Sequence, residues 1–352
     1  MRTGEAMKQN MRVAIGSLRG ATEEDLLFAK QLGVEGIVLN TPPFTGEASF
    51  GSGALGGTYW VADGGSGSTS RWDTFELVQE RRRIEDYGLR LEALENVPIW
   101  FYDKAMLGLP GRDEQIDNYR ETIRAIGRAG IPILGYHWMP TRVWRTSKTT
   151  EIRGQARCSS FDLALVEDAP PMFGREYTDD DMWANYSYFI DAVLPVAEEA
   201  GVRLALHPDD PPVPSLGGVA RIFRNIEGVR RALEIGDSPN HSLDFCMGTW
   251  SESGVDAMMA ALREFGERGK IDFIHFRNIK GTVPKFRECF LDEGDVDLVA
   301  VLRELVRVKF DGFLIDDHVP RMVNDTVWGH RSRAYATGYI AGLIRAVTET
   351  DK

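Results

Sequence analysis

Short apolar runs recur along the chain, and between them lie longer segments whose apolar residues return every three or four positions. The runs fall at 12–16, 36–40, 89–95 and 133–137 in the first half, and at 202–207, 241–246, 271–275 and 312–318 in the second. Runs this short and this apolar read as buried strands. The segments between them, among them 72–87, 113–130, 180–201 and the closing 333–347, read as helices. One helix opens at Thr22 with Glu23 and Glu24 in its first turn, a favourable start. Eight strands alternating with helices predict a (β/α)8 TIM barrel, one domain over 1–352. An open doubly wound sheet also alternates, but no Gly-x-Gly-x-x-Gly follows the first run, which removes the main reason to prefer it.

Two stretches break the alternation. Residues 46–70 are rich in glycine and serine, and 140–179 carry Arg142, Trp144, Arg145 and Arg153 with no clear period. Both follow strands, the second and the fourth, rather than helices. In a barrel those connections leave on the face where active sites are built, so both are expected to cap its mouth.

The second-half runs end in side chains that bind metals: His207, Cys246, His275 and the pair Asp317–His318. In a parallel barrel these ends share one face. Each alone has a plain alternative, since a lone His is often a satisfied surface residue and a free Cys a buried apolar one. Four in step on successive strands point instead to a metal site. Two imidazoles, a thiolate and a carboxylate suit zinc, and also manganese, iron(II) or cobalt. Neighbours at a strand end point to opposite sides, so Asp317 is assigned to the ion and His318 to the substrate. Asp, His, Arg and Asn crowd the same face, so open coordination positions are expected. Asp209 and Asp210 could orient His207 or bind hydroxyls. Arg277 and Asn278 could hold a carboxylate or hydroxyls, or Arg277 could form an ion pair at the rim.

Charge narrows the partners. With 41 basic against 53 acidic residues the formal charge is −12, a field that repels nucleic acid and requires local cations for any strongly anionic ligand. Three cysteines, an odd and sparse set, suggest a reducing compartment. Residues 1–10 are polar and no apolar run would span a bilayer, so a cytoplasmic protein without a membrane partner is expected.

At these residues the chain resembles the mannonate dehydratase family. The likeness is carried by His207-Pro208-Asp209-Asp210-Pro211-Pro212, Cys246 with Gly248, His275-Phe276-Arg277-Asn278 and Asp317-His318. Phe286-x-Glu288, Gly294-Asp295-x-Asp297 and the segments 134–140 and 144–146 extend it over most of the chain. The resemblance implies a xylose-isomerase-like barrel and a divalent ion, Mn2+ or Fe2+ before Zn2+ or Co2+, held by His207, Cys246, His275 and Asp317. It implies dehydration of D-mannonate, or a close relative, to 2-keto-3-deoxy-D-gluconate. His318, Arg277 and Asp210 are then the catalytic candidates, and Asn278, His137, Trp144 and Arg145 the substrate contacts. The expected partner is a small sugar acid or sugar, and the expected assembly a homo-oligomer.

The chain departs from the family where an arginine is usual and Ile315 stands, and near Trp328–Gly329 where a tyrosine is usual. A His-His pair is also replaced by Asn40-Thr41-Pro42-Pro43. These changes keep two alternatives open: a metal-dependent isomerase or epimerase of a neutral or keto sugar, and a non-catalytic, metal-stabilised sugar-binding protein.

Overall fold

The structure, a computed structural model, describes residues 11–42 and 71–350. The stretch 46–70, expected as the first insertion, lies outside the described residues. Fourteen strands are present among the described residues: β1 (Arg12–Leu18), β2 (Gly36–Asn40), β3 (Arg90–Asn96), β4 (Ile133–Tyr136), β5 (Ser147–Glu151), β6 (Arg157–Asp162) and β7 (Arg203–Leu206), then β8 (Ser215–Leu216), β9 (Val219–Ala220), β10 (His241–Cys246), β11 (Ile271–His275), β12 (Ile279–Thr282), β13 (Lys285–Glu288) and β14 (Phe313–Ile315). Eight close into a barrel in the order β1-β14-β11-β10-β7-β4-β3-β2, with every pairing parallel. The chain is a (β/α)8 barrel.

Helices α1 (Glu23–Leu32) and α2 (Thr74–Asp86) lead to the short α3 (Asp103–Leu107) and to α4 (Arg112–Arg128) and α5 (Asp179–Ala200). α6 (Ile226–Ile235), α7 (Met247–Ser251), α8 (Val255–Glu267), α9 (Leu298–Arg307) and α10 (His330–Thr350) follow. Their starts are chemically fixed. Thr22 and Thr178 each close a capping box, with Asp25 and Asp181, so orphan amides at the ends of α1 and α5 are satisfied. The main core lies between these helices and the outer face of the barrel.

A second, smaller core fills the barrel itself, and its periodicity places the site. Ala14, Val38, Ala93, Ile133, Ala205, Phe273, Phe313 and Ile315 pack on one another inside the ring. Side chains on a strand return to the same face every second residue. Two positions beyond Ala93, Ala205, Phe273 and Ile315 stand Glu95, His207, His275 and Asp317. The pairings Asp244↔Phe273 and Cys246↔His275 bring Cys246 to the same level.

The stretch 140–179 is not irregular, as its lack of period suggested. It contributes β5 and β6, which join the hairpin β12–β13 in an antiparallel sheet of order β12-β13-β6-β5. Phe161 pairs with Phe286 across that sheet, ring centroids 5.7 Å apart, over a small cluster with Val213, Leu216 and Ile279. One further bridge ties Arg157 to Arg321, in the loop after β14.

Candidate metal centre and its pocket

His207 follows β7, and its Nδ1 lies 2.6 Å from the carbonyl oxygen of Pro208. A proton donated there fixes the tautomer and leaves the Nε2 lone pair for a ligand. The loop that carries it is built from buried polar contacts: Asp209 accepts from the Phe223 amide at 2.6 Å, and Arg221 donates to the Asp210 carbonyl at 2.9 Å. Burial raises the Asp209 carboxyl to about 6, against the pull of Arg221.

Cys246 ends β10 with no exposed surface, and its sulfur accepts from Thr249 Oγ1 at 3.2 Å and Arg277 Nε at 3.3 Å. Burial alone would raise its pKa, but the charges on Arg277 and His207 bring it well below the usual thiol range. A thiolate is the form that binds metals. Gly248 makes room for this contact, because a Cβ there would lie 2.5 Å from the Arg277 guanidinium.

His275 ends β11, and neither ring nitrogen makes a hydrogen bond although both are buried. Nε2 stands 3.3 Å from Asp244 and 3.7 Å from Glu95, and Nδ1 stands 3.7 Å from Asp317 Oδ2. Buried polar atoms are nearly always partnered, so an imidazole set this way among a thiol sulfur and carboxylates fits the coordination of a cation. One ligand atom each from His207, Cys246 and His275 lies within 4.8 Å of the other two. The donor set therefore fits a metal ion, with Asp317 at its edge. Burial would raise the Asp317 carboxyl, but His318, His275 and Arg277 together hold it well below the usual carboxylate range.

Above the candidate ligands, beyond the strand ends, runs a buried ionic layer. Arg145 donates to both oxygens of Asp210 and, at 2.8 Å, to Glu288. Arg277 reaches Asp210 at 2.8 Å, Glu288 at 2.8 Å, Glu252 at 3.2 Å and Asp317 at 3.1 Å. Two guanidinium groups thus face three network carboxyls. Burial, reinforced by Asp210, pushes the Glu252 carboxyl well above the carboxylate range, against the pull of Arg145 and Arg277. Burial works against ionisation of Asp210 and Glu288 too, but the arginines keep both below their ordinary values.

His318 stands at the junction of layer and cavity. Its backbone is left-handed, with φ 44°, and its Nδ1 lies 2.9 Å from Glu288 Oε1. Nε2 lies 3.7 Å from Asp317 Oδ1. His207, His275, Asp317, His318, His137 and Asp210 line one cavity together. His137 accepts the Met139 amide through Nδ1 at 3.2 Å, and burial lowers its pKa to about 3, with His207 and Arg221 adding to the effect.

Four expected residues stand away from that cavity. Arg277 and Arg145 are locked in the ionic layer. The Asn278 amide is taken up by backbone, donating to Leu291 and Val296 carbonyls and accepting from the Ile279 and Val296 amides. The Trp144 indole donates to the Thr141 carbonyl and packs on the Phe161–Phe286 cluster.

Three site residues escaped the sequence reading. Glu95 lines the cavity and takes a 2.9 Å hydrogen bond from Ser17. Asp244 faces His275 from within β10, and Glu252 completes the ionic layer. Glu95 and Asp244 had a signal, an acid inside an apolar strand at the period of the metal-binding ends. Glu252 had none.

The D-mannonate dehydratase (UxuA) family model matches residues 20–175 and 172–352. Mannonate dehydratase 2 of Halalkalibacterium halodurans is 31% identical over 331 residues, covering 84% of this chain and 92% of the relative. A mannonate dehydratase of Thermotoga petrophila is 31% identical over 324 residues, 80% and 88% of the two chains. The crystal structure of mannonate dehydratase from Streptococcus suis superposes with a TM-score of 0.83 at 27% identity, over 97% of this chain and 95% of that one. L-ribulose 3-epimerase, at TM-score 0.58 and 14% identity, shares the fold alone. With a family match over nearly the whole described barrel and relatives at this identity, the chain belongs to the D-mannonate dehydratase family and is an enzyme of the hydro-lyase class.

Proposed function

We propose that the enzyme removes water from an aldonate of the D-mannonate type, giving the 2-keto-3-deoxy acid, with a divalent ion held by His207, Cys246, His275 and Asp317. The observation that carries this reading is the pair of buried His275 nitrogens without a hydrogen bond, beside the Cys246 sulfur and a second imidazole. The mixed set with a carboxylate favours Mn2+ or Fe2+ over Zn2+ or Co2+. An ion held by these four residues would supply Lewis acidity for the charge that develops as the α-proton leaves.

The chain's own residues supply the proton work. Dehydration breaks C2–H and C3–O, forms an enol and lets it tautomerise to the ketone. His318 carries one of these protons on Nε2, the nitrogen that the Glu288 contact leaves available. Glu288 orients the ring, and Arg277 acts on the ligands rather than the substrate, holding Cys246 and Asp317 in place. Asp210 serves as the counter-charge that keeps Arg145 and Arg277 buried. His137 offers a neutral imidazole to a hydroxyl. The sheet containing β5 and β6 caps the mouth, with Arg145 as its anchor.

A second reading, isomerisation or epimerisation of a neutral sugar, is favoured by one observation. Ile315, where the family usually has arginine, is fully buried in the apolar barrel layer and offers no carboxylate clamp. Incubating the Mn2+-loaded protein with a panel of aldonates and assaying 2-keto-3-deoxy acids decides between them. No product from any aldonate, with solvent deuterium entering a neutral sugar, would leave the second reading standing.

A further inference from the structure

Next to the metal cavity lies a second one, of about 240 Å3, that shares Ser17, Arg19, Asp317 and His318 with it. Its walls carry five cations, Arg19, Lys148, Arg157, Arg321 and Arg333, against the carboxylates of Asp25 and Asp317. Arg333 is spent on Asp316, at 2.7 Å. The wall is predominantly cationic, in a chain of net charge −12.

The arrangement of two of them points to a ligand. Arg157 opens β6 and Arg321 lies in the loop after β14, and each donates its amide to the other's carbonyl, at 3.1 and 2.7 Å. In such an antiparallel pair the two side chains leave on the same face about 5.5 Å apart, and like charges set opposite one another are destabilising. Among the described residues neither guanidinium forms an ion pair, although Glu151 stands opposite Arg157 on its other side, across β5–β6. Two arginines held side by side in a cavity wall, on two different excursions from the barrel, make a fork for one anionic group.

We infer that the substrate carries a second anionic group at the end of its chain far from the metal, and that Arg157 and Arg321 bind it in this compartment. The inference rests on the metal-site reading, which places the first carboxylate in the neighbouring cavity. The chemistry is a terminal carboxylate, as in an aldarate, or a terminal phosphate, as in a 6-phospho-aldonate. It also gives the departure at Ile315 a counterpart: a cation is absent inside the barrel, and cations stand at the far wall instead.

The test is calorimetric titration of the Mn2+-loaded protein with D-mannonate, the corresponding aldarate and the 6-phospho-aldonate. One of the doubly anionic ligands binds tighter than D-mannonate by about tenfold or more, the scale of one or two charge-assisted hydrogen bonds. Which of the two gains more identifies the group. The preference collapses in the double variant Arg157→Gln/Arg321→Gln and returns in Arg157→Lys/Arg321→Lys; both pairs keep the backbone bridge, which uses no side chain. Equal affinity for all three ligands, or a preference that survives the glutamines, overturns the inference. Product assays stay separate: turnover of D-mannonate without the preference sinks this inference alone, and arginine-dependent binding without any dehydration sinks the dehydratase reading alone.

Discussion

Two levels of the same barrel, one step apart on each strand, are built on opposite principles. The lower is apolar, with Ala93, Ala205, Phe273 and Ile315 in mutual contact and no polar group to satisfy. The upper, two residues on, holds Glu95, His207, His275 and Asp317, and above it two arginines cross three carboxyls. The lower level stabilises by area removed from water, non-directionally and tolerant of modest shape change. The upper depends on each partner being present, because removing one leaves a buried charge uncompensated. The strand period that aligns the levels thus joins a forgiving foundation to an unforgiving site.

The difference is broken most severely at Arg277. Arg277→Met takes a cation from Cys246, Asp210, Glu288 and Asp317 at once, and should cost about 3–5 kcal/mol in denaturant unfolding along with metal content. A stable, metal-replete Met variant would mean that the ionic layer is dispensable.

Next comes a pair that separates coordination from proton transfer. His318→Asn should lower turnover by roughly 10²–10⁴ with metal content near wild type, since the work proposed for it is to move a proton. Cys246→Ser should lose metal, an alcohol being a poorer ligand than a thiolate. Metal analysis of both, beside a turnover assay, reads the roles directly. Equal metal loss would make His318 a ligand.

A smaller effect contrasts two histidines. His241 opens β10, bonded to Tyr136 at 2.8 Å and to the Gly236 carbonyl at 2.9 Å, and burial lowers its pKa to about 4. Its unfolded value is 6.5, so the unfolded chain takes the proton first as pH falls. Stability is complete above 6.5 and is lost between 6.5 and about 4, by about 1.4 kcal/mol per pH unit. His137, lowered to about 3, adds in the same direction. In His241→Gln the slope of unfolding free energy over that window should be shallower by one such increment. An unchanged slope would show that His241 is already charged in the fold.

The least costly change is Ile315→Val in the lower level, expected to cost about 1 kcal/mol and to leave metal binding intact. A loss of metal there would mean that the two levels are coupled through packing.

The barrel was legible because its strands are buried on both faces and so read as continuous apolar runs, each with its chemistry at the end. His207, Cys246, His275 and Asp317 were legible for the same reason, their ends falling at equivalent positions. β5 and β13, Ser-Lys-Thr-Thr-Glu and Lys-Phe-Arg-Glu, stay half-exposed, and a strand with one wet face in a two-layer excursion gives too few apolar positions to show a period. Arg145 and Trp144 are expected at the substrate from the insertion over the mouth and a likeness to a family segment, and Asn278 from its place just after His275. The structure spends their polar atoms on carboxylates and backbone carbonyls, which no one-dimensional pattern records. Glu252 belongs to the ionic layer only through contacts between residues far apart in the chain.

The left-handed backbone at His318 sets two demands on one position against each other. For a residue with a Cβ that conformation costs roughly 1–2 kcal/mol, and glycine or asparagine relieves it. His318→Asn therefore regains that backbone cost but gives up the 2.9 Å contact with Glu288, so its melting temperature reads which of the two is larger. On the role proposed for His318, turnover and backbone comfort ask for different residues at this one position.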